Sequence, residues 1–169
     1  MTTLQKISAK IDNINTQGIG EVFDKSKESL LEIPFSLPGE IIEYVNDGLG
    51  NATFIKFKVI SSHRVEPGCP QFKKCGGCSL QHASEEFVTE WKKSVVVRAL
   101  EQKKLYPKFR STQVTPERSR RRAVFSGRRT KKGTLVGFKS PKSDNIVSVL
   151  GCIILDEKIL SFLPGMQKI

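Results

Sequence analysis

The sequence predicts a mainly β fold with one long helix, divided into two small domains. Three observations predict it. Five short stretches of alternating apolar and polar residues fill roughly the first 60 positions. One later stretch, Ser84–Lys104, carries apolar residues at helical spacing. Three runs rich in Val, Ile and Phe follow it. With 169 residues, 38% of them hydrophobic and ten of them Phe, the chain can bury a core and is too apolar for global disorder.

In chain order, Leu4–Asn13 interleaves Leu4, Ile7, Ala9 and Ile11 with Lys6, Ser8, Lys10 and Asp12, the two-residue period of a half-buried strand. Gly18-Ile19-Gly20 permits a tight turn. Glu21–Asp24 and Ser29–Ile33 are strands on either side of a polar turn, Lys25–Glu28. Pro34 and Leu37-Pro38-Gly39 break the pattern. Glu40–Val45 and Ala52–Ser61 supply two more strands; in the second, Ile55, Phe57 and Val59 alternate with Lys56 and Lys58. Five short strands suit an oligonucleotide-binding type of barrel, and equally another small β domain over residues 1–64.

Glu66-Pro67-Gly68 marks a linker into a second domain over residues 65–169. That domain opens on an irregular, cysteine-bearing loop. Its helix, Ser84–Lys104, has Ser84 as cap, Glu85 and Glu86 in its first turn and Lys103 and Lys104 in its last. Phe87, Val88, Trp91, Val95 and Ala99 share one face, the pattern of core packing. Pro107–Pro116 is a loop. Strands follow at Arg121–Ser126, Thr134–Ser140 and Asn145–Leu155, joined by a basic turn, Arg128–Gly133, and a polar one, Pro141–Asp144. A short helix, Glu157–Phe162, stops before Pro164-Gly165.

Charge is unevenly placed. The chain has 28 Lys and Arg against 17 Asp and Glu, net +11. Residues 1–66 carry net −2 and the remainder net +13. Between Lys103 and Lys132 twelve basic residues face one acidic residue, Glu117. Such a field attracts polyanions, and RNA or DNA is the commonest in a cell. No run of about 18 apolar residues offers a membrane span, and Met1–Lys10 has no secretory pattern. A cytoplasmic, reducing compartment is therefore expected.

In that compartment the four cysteines, Cys69, Cys75, Cys78 and Cys152, are more suited to metal than to disulfides. Their spacing puts three thiols on one ten-residue loop and a fourth 74 positions beyond Cys78. A four-sulfur site for structural zinc or for an iron–sulfur cluster both fit. Gly76 and Gly77 would let backbone N–H groups approach inorganic sulfide.

Three stretches resemble the bacterial RNA uracil-5-methyltransferase family. Gly18-Ile19-Gly20 with Ile33-Pro34-Phe35-Ser36-Leu37-Pro38-Gly39-Glu40 looks like the TRAM domain of these enzymes. Cys69-Pro70 through Cys75-Gly76-Gly77-Cys78 and Leu80-Gln81-His82 looks like their cluster loop. Arg120–Phe125, Gly137-Phe138-Lys139-Ser140, Ile146-Val147 and Cys152 are similar to their central β domain. The resemblance implies a five-stranded, OB-like TRAM barrel followed by a β-rich domain holding a four-iron four-sulfur cluster on the four cysteines, with zinc the runner-up. It also implies uridines of ribosomal or transfer RNA as substrates and S-adenosylmethionine as methyl donor.

Methylation at C5 of uracil needs a thiolate that adds to C6 and a base that removes the C5 proton. All four cysteines match cluster positions, and neither a glycine-rich cofactor turn nor the family's doubly wound cofactor domain is recognisable. Gly18-Ile19-Gly20 is a hairpin turn and not a dinucleotide fingerprint. The expectation is an N-terminal, RNA-holding portion that is catalytically incomplete as given. The alternative is a stand-alone RNA-binding module. Expected RNA contacts are Arg120, Arg121, Arg122, Arg128, Arg129, Lys131 and Lys132 at phosphates, and His82 by stacking on a base. The helix face of Phe87, Trp91 and Val95 is expected to meet a separate catalytic half or a second copy.

Overall fold

The computed structural model describes residues 6–24, 28–46, 52–131 and 133–168. The polar turn expected at residues 25–28 falls almost wholly outside them, as does Lys132. The architecture is mainly β with two helices, and the chain divides into two compact units. No described helix is long and apolar enough to cross a membrane.

The first unit comprises Met1–Val65 and His82–Gln102. Strands β1 (Lys6–Lys10), β2 (Asn13–Ile14), β3 (Gly20–Asp24), β4 (Ser29–Ile33), β5 (Ile41–Asn46) and β6 (Ala52–Val59) form two antiparallel three-stranded sheets, ordered β1-β5-β6 and β2-β3-β4, with β4 beside β6. Alternation decides which side chains turn inward. Leu31 and Ile33 on β4, Ile42 and Tyr44 on β5, Val22 on β3 and Ile11 between β1 and β2 make one buried cluster. The Gly18 turn forms as the sequence predicts. Asn15 Oδ1 accepts from the N–H groups of Gln17 and Ile19, at 2.9 and 3.1 Å.

One buried ion pair completes this unit. Glu40 is wholly enclosed. Arg64 Nε donates to its Oε1 at 2.5 Å and Nη2 to its Oε2 at 2.7 Å. The Leu37 amide donates to Oε2 at 2.8 Å. Arg64 also donates to the Phe35 carbonyl at 2.8 Å and lies 4.3 Å from the Phe57 ring centroid. A buried carboxylate is tolerated only with such a full set of partners.

The helix α1 (Glu85–Glu101), expected in the second domain, groups with the first unit. The reason is backbone pairing at its entrance. Val65 N–H donates to His82 O at 3.0 Å and Ser84 N–H to His63 O at 2.8 Å. Ser84 caps the helix, accepting from the Phe87 amide at 3.3 Å. The helix ends at Gln102, so Arg98, and not Lys103 and Lys104, supplies the last-turn cation. None of its residues is buried.

The second unit comprises Glu66–Gln81 and Lys103–Ile169. It holds the antiparallel meander β7 (Ser126–Thr130), β8 (Gly133–Lys139) and β9 (Ile146–Ser148), and helix α2 (Glu157–Met166) beside β8. Val136, Val149, Leu155 and Leu163 form its buried core. Several expected bounds move. Residues 121–125 are not a strand; only Arg120 bridges, in parallel, to Leu155. Arg128 and Arg129 lie on β7, pairing with Leu135 and Thr134, and not in a turn. The third strand ends at Ser148, where Cys152 N–H turns back to Val149 O at 3.0 Å. The helix α2 continues through Pro164, because the Gln167 amide still reaches Leu163 O at 3.1 Å.

Candidate metal centre

The second unit gathers the four cysteines. Residues 69–75 wind through successive turns, with Phe72 N–H on Cys69 O at 3.0 Å and Cys75 N–H on Gln71 O at 2.9 Å. The loop is pinned to β8, since Gly76 N–H donates to Lys139 O at 2.9 Å. Glycine is required there: a Cβ on Gly76 would lie 2.8 Å from that carbonyl, and one on Gly77 would stand 3.3 Å from the Phe138 ring and 3.4 Å from Cys75 Sγ. Cys152 enters from the turn after β9 and packs, with Cys75, against the Val149 and Leu155 core.

All four cysteines line one narrow, apolar cavity, together with Phe72, Phe138 and Leu155 among others. Its volume is about 20 Å³, room for about one water molecule. Each cysteine is half-buried and reduced. Among the described residues, no group of three or more His, Cys, Asp or Glu side chains meets closely enough to hold a metal ion. The four thiols thus line a common void without gathering into a metal-holding group.

The electrostatics favour a cationic guest. Burial pushes the Cys75 thiol up, with the charges of Cys152 and Cys69 adding to it and the Gly77 amide opposing. Burial likewise raises Cys78, opposed by a hydrogen bond with Gln81 and reinforced by Cys152, Cys75 and Cys69. Thiolates in this cavity repel one another and lack solvent, and a bound cation relieves both. The donor set, four thiols in an apolar lining, therefore fits a soft-metal centre in chemistry. Gln81 is a positioning residue that sequence reasoning missed. Its Oε1 accepts from the Cys69 amide at 3.2 Å while its side chain meets the Cys78 thiol. Its signal was its place in Leu80-Gln81-His82, within the stretch that resembles the family's cluster loop.

The expected RNA contacts scatter. Arg120 forms part of the cavity wall, with its guanidinium carbon 5.8 Å from the Phe138 ring centroid. Its backbone is held by Ile154 O at 3.0 Å and by the Asp156 amide at 3.0 Å. Arg121 and Arg122 are exposed on irregular backbone, Arg128 and Arg129 are exposed on β7, and Lys131 is exposed in the following turn. Strand alternation therefore does not sort Arg120 to Arg122 onto two faces. His82 belongs to the first unit and is wholly buried, edge-on to Phe35 at 6.1 Å between centroids. It offers no face to a base. Phe72 is buried, as expected.

No family model matches the chain. Sequence relatives do. An uncharacterized RNA methyltransferase of Rhizobium meliloti is 36% identical over 99% of the chain and 39% of its own length. One of Brucella suis is 30% identical over 99% of the chain and 38% of its own length. The chain belongs to this family of RNA methyltransferases, and spans about two fifths of the length of these members. Among the relatives is the 23S rRNA (uracil(1939)-C(5))-methyltransferase RlmD of Haemophilus parainfluenzae, 29% identical over 99% of the chain and 40% of its own length.

Proposed function

We propose that this chain is the RNA-holding, iron–sulfur-carrying portion of an S-adenosylmethionine-dependent RNA (uracil-5-)-methyltransferase that acts in the cytoplasm on ribosomal or transfer RNA. The observation that carries it is the convergence of all four cysteines on one apolar cavity within the strongly basic unit. The six strands of the first unit support a TRAM barrel, with β1 and β2 counted as one bent strand. Cys69, Cys75, Cys78 and Cys152 would hold the cluster. A four-iron four-sulfur centre supplies cross-links between the loop of residues 69–78 and the turn at Cys152. The cluster is preferred over a single zinc ion on the spacing of the cysteines, one wide and one short interval in the loop, and on the family resemblance.

Gln81 orients the Cys78 thiol, and Gly76 and Gly77 keep the loop tight on β8. With every cysteine so engaged, none serves as the nucleophile for C6 of uracil, and methyl transfer belongs to residues outside this segment. The α1 face of Phe87, Trp91 and Val95 is half-buried, with Trp91 Nε1 shielded from solvent, and what remains open of it is assigned to contact with the catalytic part.

Anaerobic reconstitution with iron and sulfide tests this. A brown chain with about four irons per molecule is expected. A colourless chain that takes up one zinc and refuses iron would overturn the cluster assignment. Labelled methyl from S-adenosylmethionine should not reach RNA through this chain alone.

A further inference from the structure

Beside the cysteine cavity lies a separate, open groove of about 670 Å³, within the size range of small-ligand sites, roughly 300 to 1,000 Å³. Gly77, Arg120, Arg122, Val124, Phe138 and Lys139 bound it. It shares Gly77, Arg120 and Phe138 with the cavity. The groove combines three features. Arg120, Arg122 and Lys139 give it three cations. Of the three, Lys139 pairs with the exposed Asp144, Nζ 2.6 Å from Oδ1. Val124 stands 90% exposed between inward-facing Ala123 and Phe125, an apolar side chain with no core to fill. Gly76 and Gly77 contribute only backbone to its lining.

We propose that this groove takes one or two unpaired nucleotides of RNA, its cations on phosphates and its Val124 and Phe138 wall against a base. This deepens, and rests on, the reading that the segment binds RNA. An A-form duplex hides its bases and would use the cations alone, leaving Val124 without a role. A single strand uses both, since unpaired bases present apolar faces and the backbone remains free to meet Arg122. Arg120 spans both sites, so a nucleotide in the groove covers one wall of the metal centre.

The test is binding of a short oligouridylate to the 169-residue chain, followed by fluorescence anisotropy across a salt series. Arg122→Glu is expected to weaken binding about tenfold and to reduce the salt slope by about one. Val124→Glu is expected to do the same to affinity. Val124→Tyr, which offers a ring, should tighten binding by about fivefold or more. Lys158→Glu, an equal charge change on exposed α2, should cost less than about threefold, through the general field alone. Equal losses at Arg122 and Lys158, an indifferent Val124, or tighter binding of a hairpin duplex of the same length would overturn the groove. A parent chain that binds no RNA at all would instead overturn the RNA-holding reading on which the groove rests.

Discussion

The two units solve the same problem by different means. The first buries Ile11, Val22, Leu31, Ile33, Ile42 and Tyr44 in one cluster and closes it with the Glu40–Arg64 pair. Among the described residues the second has a buried cluster of four, with Phe72 buried beside the cysteines, three short strands and a long irregular stretch before β7. It also carries nearly all of the excess positive charge, which opposes compaction. A core that small leaves little margin over conformational entropy. The contrast teaches where stability comes from: from burial in the first unit and, on the proposed metal centre, from cross-linking at the cysteines in the second.

The largest expected effect follows. Cys152→Ser, or removal of bound metal, should abolish cooperative melting of the second unit and leave that of the first in place. The binding free energy of a metal centre is also folding free energy, on the order of 10 kcal/mol for structural sites. Calorimetry of the reconstituted chain checks it. Two transitions in the parent and only the first in the variant are expected; a variant that keeps both at unchanged temperature defeats the comparison.

The converse break lies in the first unit. Glu40→Gln leaves the Arg64 guanidinium buried without its counter-charge, a loss of about 3–5 kcal/mol. Trp91, the single tryptophan, sits in that unit and reports its unfolding by fluorescence in urea. The midpoint should fall sharply while visible absorption from the proposed cluster of the reconstituted chain persists. Ile42→Ala, which empties part of the same core, should cost about 2–5 kcal/mol by the same readout.

The same contrast explains what the sequence made legible. Strands of the first unit were visible because their alternation reports a genuine inside and outside. In the second unit alternation misleads at residues 121–126. Ala123 and Phe125 do turn inward, but no neighbouring strand offers them a ladder, since β7 already occupies that edge of β8. Conversely, Arg128 and Arg129 looked like a turn because they are charged. They form an edge strand, where charge on both faces is tolerated and discourages further pairing. The cysteine spacing pointed to a shared site, yet the Val124 groove depends on which loops fold together, and no local pattern encodes that. The Glu40–Arg64 pair, 24 positions apart, was hidden for the same reason. His82 was misassigned because a histidine beside a cysteine loop looks functional until its burial is known.

The smallest effect sharpens the comparison of ion pairs. Lys139 and Asp144 form the exposed counterpart of Arg64 and Glu40, with Nζ 2.6 Å from Oδ1. The hydrogen bond from Lys139, aided by its charge, holds the Asp144 carboxyl below the usual aspartate range. A depressed folded value means that the pair stabilises the fold above the ordinary aspartate pKa. The contribution is lost as pH falls through the folded value. Because solvent screens an exposed pair, Asp144→Asn should leave the melting temperature within experimental scatter. The shift itself is measurable: carbon-detected titration should place the Asp144 midpoint below that of a free aspartate, and Lys139→Met should return it to the ordinary range. An Asp144 midpoint that ignores the lysine would show that the two side chains do not pair in solution, and the exposed half of the comparison would fall while the buried half stood.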